Sequence, residues 1–326
     1  MTISYLLRLG CLSFSVFLLT HFLLELVVMS IAGWLTRRVE TLKPRVAERA
    51  LFALRILPTA VSVLFVVGLC IPSYIVHEQQ VAGEEVGVFS VLLAAIGLVL
   101  CLLALRRGLL AVVNSNQYQH KCGLTGTQHN VGSDGLAVCV IETEQPVLAL
   151  AGMVRPRLIA SSGFMRALPQ DQLEAALRHE RAHWVARDNW KRLLMLLTPT
   201  VLRYSRHFVE LEKSWSRYAE RAADDFAVAG DADRAVALAG ALVSAARMGS
   251  TARPAMLSCS LLDNHLEFAA RVDRLLIPQH QQEMSALSIR LLVSATTAYT
   301  SLVTAIIIWY STALSVVYQL LEEFLH

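Results

Sequence analysis

Leu177-Arg178-His179-Glu180-Arg181-Ala182-His183-Trp184 decides how the rest of this chain is read. The stretch has the form H-E-x-x-H and lies in a strongly helical run. Residues four apart on a helix stack on one face, with about 5–6 Å between their Cβ atoms. Two imidazoles at that spacing can bind one metal ion. Glu180 is then placed to take a proton from a bound water. The bland alternative is a helix with two core or surface histidines and a solvated glutamate. Motif and helical setting together favour the metal site.

The surrounding pattern extends that helix over about Gln170 to Ala186. Pro169 suits a first turn, and Asp171 and Glu174 complement the helix dipole. A catalytic zinc takes three protein ligands and leaves one position for water, so one ligand remains to be found. Glu220-Arg221-Ala222-Ala223-Asp224, of the form E-x-x-A-D, lies on a second long helical pattern, about Phe208 to Ala229. Alone, this acidic run reads as a solvated helix face. Some forty residues behind H-E-x-x-H, it offers Glu220 as the third ligand. Asp224, one turn on, can accept a hydrogen bond from a ligand histidine. Further helices are expected at about Ala232 to Met248 and Leu261 to Leu276. Short β-rich runs precede the catalytic helix at Leu136–Ile141, Val147–Leu150 and Arg157–Ala160, and their edge could pair with an extended substrate.

Outside this region the chain is apolar. Of its 326 residues, 55% are hydrophobic and 17% charged, against about 25% charged in an ordinary soluble domain. Mean hydropathy is +0.50. Four segments reach the roughly 20 apolar residues that a bilayer core requires: about Gly10–Trp34, Ala50–Val76, Val88–Val113 and Ala286–Leu320. The first is longer than a signal-peptide core and has only Arg8 before it, so it reads as a retained span. Leu193–Leu202, interrupted by Pro199, is too short to span and reads as buried or interfacial. The expected fold is therefore mainly α: a four-helix transmembrane bundle, with a zincin-like α+β metalloprotease domain inserted between spans three and four. Residues 1–113 hold three spans, 114–285 the domain, and 286–326 the fourth span with a short tail.

Loop charges set the expected orientation. Arg37, Arg38, Lys43, Arg45 and Arg49 crowd the first loop, whereas the second has Glu78, Glu84 and Glu85 and no Lys or Arg. By the positive-inside rule the first loop and the domain face the cytoplasm and both termini face outward, in a multi-pass protein of the cell membrane. The net charge of +3 is too small to argue for a nucleic-acid partner. Six cysteines without a C-x-x-C pair suit a reducing compartment. Within the first span, His21 and Glu25 share a face. They read as a hydrogen-bonded pair holding helices together or, more sharply, as a proton-sensitive or signal-coupling site.

His179 to His183 followed by Asp188-Asn189, and preceded by Gly152-Met153-Val154-Arg155-Pro156-Arg157-Leu158-Ile159, resembles the BlaR/MecR-type membrane metallopeptidases, the sensor-transducers of β-lactam resistance. The resemblance covers the four-span layout and about Pro146 to Leu276. It implies one Zn²⁺ per chain held by His179, His183 and Glu220, with Glu180 as general base. It also implies a cytoplasmic protein substrate, such as a winged-helix transcriptional repressor or the protease itself. Glu220 to Asp224 is similar to the glutamate-ligand motif of HtpX-type and CAAX-type membrane proteases. Those carry His-Pro with an Arg six residues after the His. Here His265 and Arg271 keep the separation but Leu266 replaces the proline. That makes His265 and Arg271 candidates for substrate or oxyanion contact, with packing the plainer role. The sequence ends soon after the fourth span, so direct antibiotic sensing by an external penicillin-binding domain is not expected, and a trigger is expected from a membrane or external partner, the lipid bilayer or the short outer loops. Two other readings stand beside signalling: an HtpX-type quality-control protease, and a non-catalytic membrane relay with a vestigial site.

Overall fold

A computed structural model describes residues 3–77, 87–131, 136–153, 156–202, 205–248 and 268–277, with parts of 312–323. Three described helices are long and apolar enough to cross a membrane. The first is α1 (Ile3–Val39). The second is continuous from Pro44 to His77: α2 (Pro44–Phe65), a π-helical turn (Val66–Cys70) and α3 (Ile71–His77). The third is α4 (Val88–Thr125). All three leave large apolar side chains uncovered, among them Leu23, Val27, Leu64, Val67, Leu102 and Leu109. Lipid is the solvent that suits such a surface. Most of the expected fourth span lies outside the described residues. Of its far end, Leu321 packs with Leu12, Val16 and Tyr74, and Ser73 Oγ donates to Leu314 O at 2.5 Å.

A seam of small side chains explains how α4 packs. Ser90, Ala94, Gly97, Ala104, Gly108, Ala111 and Ser115 are buried at alternating three- and four-residue steps, with one step of seven. Small residues let helix backbones approach closely in lipid, where the hydrophobic effect does not drive helices together. A Cβ added at Gly97 would lie 2.7 Å from the Phe14 carbonyl oxygen of α1. The helix does not stop at Val113. It runs unbroken through polar Asn114-Ser115-Asn116 to Thr125, because nothing there breaks a helix and its last turns have a sheet to pack on.

That sheet has four strands in the order β1-β2-β4-β3: β1 (Thr127–Val131), β2 (Leu136–Ile141), β3 (Leu148–Ala151) and β4 (Arg157–Ser161). β2 and β4 run parallel; β1 and β3 are antiparallel edges. One face, with Val138, Val140, Leu158 and Ala160, packs on the helical core, and the other, with Cys139 and Ile159, covers the end of α4 at Cys122. Strand β1 was not expected from the sequence. Thr127, Gln128 and His129 are all exposed, so it carries no buried alternation to read.

The helices that follow are α5 (Ser162–Ala167), α6 (Gln170–Ala186), α7 (Asp188–Leu197), α8 (Arg206–Val228), α9 (Ala232–Met248) and α10 (Phe268–Leu276). The bounds of α6 and α9 are those the sequence suggests. α7 was expected only as a buried or interfacial run. It is an amphipathic helix whose Leu193 packs with Ala111 of α4 and with Met153. α8 lays Leu211, Trp215 and Tyr218 against Leu51 and Leu54 of α2.

Gly97→Leu is expected to cost about 1–3 kcal/mol, the usual cost of overpacking. Thermal unfolding of the purified chain in detergent checks it; an unchanged midpoint would contradict the close α1–α4 contact.

Candidate metal centre

Helix α6 presents His179, Glu180 and His183, all three fully buried. It ends at Arg187, whose φ of 57° places it in the left-handed region that terminates helices. The chain turns sharply there and starts α7 with Asp188. This turn returns the Asp188 carboxylate to the helix it has just left: Oδ2 lies 2.7 Å from His183 Nδ1. Opposite α6, helix α8 is opened by Ser205, whose Oγ accepts from the Phe208 amide. Its Glu220 and Asp224, one turn apart, are buried.

Two ring nitrogens and the two oxygens of one carboxylate meet between the two helices. His179 Nε2 is 3.2 Å from His183 Nε2 and 3.3 Å from Glu220 Oε2, and His183 Nε2 is 3.6 Å from Glu220 Oε1. The outer ring nitrogens face carboxylates: His183 Nδ1 faces Asp188, and His179 Nδ1 lies 3.0 Å from Asp224 Oδ1 in a short, off-line electrostatic contact. Carboxylates draw the imidazole protons to Nδ1. Both Nε2 atoms then turn lone pairs toward one another and toward a carboxylate. With the ring protons at Nδ1, the two nitrogens and the carboxylate are acceptors that a cation among them would satisfy. A tetrahedral ion with ligand bonds of about 2.0–2.1 Å spaces its ligand atoms about 3.3 Å apart. The observed spacings fit such an ion, and these three residues form a cluster able to hold a metal.

The surrounding charges follow the same logic. Arg271 of α10 grips Asp224 through Nε at 3.0 Å and Nη2 at 2.6 Å, and its Nη1 is 3.1 Å from Glu220 Oε2. Burial alone would raise the Glu220 carboxyl; Arg271 and the two imidazoles outweigh it and hold it at about 2. Asp224 is likewise kept below the ordinary carboxylate range, against burial, by Arg271 and His179. Burial pulls His179 down, but Asp224 and Glu220 more than offset it and raise the ring. Asp188 is lowered against burial by His183 and Lys191. Lys191 Nζ donates to Asp188 Oδ1 at 2.8 Å.

The structure thus brings His179, His183, Glu220, Asp224 and Arg271 together. Arg271, 3% exposed, directs its guanidinium at the Asp224 and Glu220 carboxylates. His265 lies outside the described residues. Asp188 and Lys191 make contacts beside the centre that sequence reasoning missed. The available signal was an acid five residues beyond the second histidine and a base three residues further on.

Two clefts open beside the centre. One, of about 320 Å³, is walled by Glu180, Arg181 and Trp184 of α6 and by Leu150, Pro156 and Leu158 from the sheet side. The other, of about 350 Å³, reaches His183, Trp184, Gly152 and Trp190. The β3 edge between them is not bare. Asn189 Nδ2 donates to the carbonyls of Leu150 and Gly152 at 3.2 and 3.1 Å, and the Gly152 amide donates to Ser115 Oγ at 3.1 Å. Part of this edge is therefore already bonded within the chain.

An H-E-x-x-H helix with a buried glutamate from a second helix is the site architecture of a metal-dependent hydrolase. Residues 127–276, just under half of the chain, match the family model of Peptidase family M48. The match supports the M48 metallopeptidase family for this segment, and with it peptide-bond hydrolysis. No curated protein matches the sequence.

Asp224→Asn is expected to weaken metal binding by about 10- to 100-fold, as loss of an outer partner does. Glu220→Ala is expected to cost more, because a ligand itself is removed. Competition with a chromophoric chelator measures both; equal affinity in Glu220→Ala and wild type would remove Glu220 from the ligand set.

Proposed function

We propose that this chain is an integral membrane zinc metalloendopeptidase. The observation that carries the reading is the convergence of His179 Nε2, His183 Nε2 and a Glu220 carboxylate oxygen on one point beside a cleft walled by Glu180. Bound zinc would supply a Lewis acid and a water of lowered pKa. The chain's own residues do the rest. Asp188 and Asp224 face the outer ring nitrogens and keep the inner ones free for the ion. Glu180, buried on the cleft wall, takes the proton of the attacking water and passes it to the leaving amine. Trp184, exposed between the two clefts, gives the substrate chain an apolar surface.

The substrate in this reading is a cytoplasmic protein, cut at a specific site in response to a signal. Two observations support that orientation. The basic loop after α1 is at the same end of the spans as α8, since Val39 and Ala47 pack with Trp215 and Tyr218. The third span also continues straight into the sheet of the peptidase segment. A transcriptional repressor, or the enzyme itself, fits a protease whose site is tied to its membrane helices. The quality-control reading has an observation of its own. Glu220, from the motif shared with HtpX-type proteases, is the third member of the metal cluster. The two separate by substrate count in a deletion strain: one uncleaved regulator favours signalling, and many accumulated membrane proteins favour quality control.

Glu180→Gln is expected to keep one zinc per chain and to lose about 10²- to 10⁴-fold of peptidase activity. Full activity in that variant would defeat the mechanism. Absence of zinc from the wild-type chain would leave the non-catalytic relay standing.

A further inference from the structure

The two metal-facing histidines are braced from different places. His179 is backed by Asp224, and Asp224 is gripped by Arg271 from α10, so that brace stays inside the peptidase segment. His183 is backed by Asp188, whose brace leaves the segment. Asp188 divides its carboxylate: Oδ2 faces His183 Nδ1 at 2.7 Å and Oδ1 accepts from Lys191 Nζ at 2.8 Å. The same Nζ donates to Glu48 Oε1 at 2.8 Å. Glu48 lies 143 residues away in sequence, near the start of α2, and is 1% exposed. Its Oε1 also accepts from Trp215 Nε1 of α8 at 2.9 Å.

We infer that Lys191 is a positioning residue and that, through it, Glu48 on the second membrane helix fixes the orientation of the His183 ring. The inference rests on the metallopeptidase reading and deepens it. A carboxylate held at one oxygen can still turn about its Cβ–Cγ bond; a second bond at the other oxygen fixes its plane. Lysine is a compact charge on a flexible stem and holds a direction only when its ammonium is itself held. Glu48 supplies that hold. The order of dependence is therefore α2, Lys191, Asp188, His183, metal.

Other contacts make α7 and the chain after it the element through which the spans address the site. Glu25 of α1 accepts from the Leu202 amide at 3.3 Å. Arg55 of α2 donates to Thr200 Oγ1 at 3.2 Å and to Glu212 at 2.9 Å. Arg107 of α4 donates to the Thr198 carbonyl at 3.3 Å. Each of these contacts falls between the two helices that carry the metal-facing residues or on the second of them, whereas Ser115 of α4 accepts from the Gly152 amide ahead of both. A shift of α2 against α7 therefore reaches His183 before it reaches His179. This gives a signal arriving at the membrane a route to the catalytic centre.

The test uses the full chain in lipid nanodiscs, with zinc affinity measured by chelator competition on the folded fraction and the ligand field read from the visible spectrum of the cobalt-substituted protein. Lys191→Met is expected to weaken zinc binding by about 10- to 100-fold, the range for outer-shell partners of a ligand histidine, and to alter the cobalt bands. Lys191→Arg is expected to restore most of the affinity. Glu48→Gln, which keeps the size of the side chain, is expected to weaken zinc in the same direction by a smaller factor and to move the same bands. Unchanged zinc affinity and cobalt bands in Lys191→Met overturn the positioning role. A loss in Lys191→Met with wild-type behaviour in Glu48→Gln overturns the link to the membrane helix. If Lys191→Met does not fold, Glu48→Gln decides alone. Failure of the metallopeptidase reading shows separately, as a wild-type chain that binds no zinc.

Discussion

Two imidazole nitrogens meet 3.2 Å apart and against a carboxylate, with a second carboxylate behind each ring, and the rest of the site depends on this buried cluster. Buried polar groups need partners, and buried like charges need more. Around the two rings, Glu180, Asp188, Glu220 and Asp224 outnumber the cations Arg271 and Lys191. A divalent cation at the meeting point would supply a partner and offset the excess charge. Much of the local architecture reads as the means of holding these groups in place for it. The helix ends at Arg187 so that Asp188 can return; α8 is aligned so that Glu220 and Asp224 face α6; α10 contributes the guanidinium that makes two buried acids tolerable.

Helix α8 serves both halves of the protein. Its first turns pack apolar side chains on α2, and its later turns carry the carboxylates of the centre. Helix α4 has a similar double life, with small residues against α1 and α7 and a polar end beneath the sheet. The membrane helices are therefore part of the support of the site. Division of the chain into an anchor and a separate enzyme does not describe the packing.

Much of this was legible in the sequence because the signals were periodic or local. The H-E-x-x-H spacing, Pro169 before the helix start, and the long apolar runs each state their structure within a few residues. The partnership of Glu220 with the histidines was legible only as a second motif at a distance, and the packing of α8 on α6 makes it geometric. What the sequence concealed depends on contacts far apart in the chain. Strand β1 is exposed on the edge of the sheet, so its pairing with β2, and not its side-chain pattern, makes it a strand. Asp188 matters because of a left-handed residue that no glycine marks. Lys191 and Glu48 look like ordinary surface charges until α2 and α7 are side by side. Arg271 carried a family-like spacing, yet two buried acids nearby claim its guanidinium.

The most direct test of the account is zinc K-edge X-ray absorption on the purified full chain. A first shell of nitrogen and oxygen at about 2.0–2.1 Å, with the outer-shell scattering of two imidazoles, is the expected result. Sulfur scattering at about 2.3 Å, or a light-atom shell without imidazole features, would contradict a centre built from His179, His183 and Glu220.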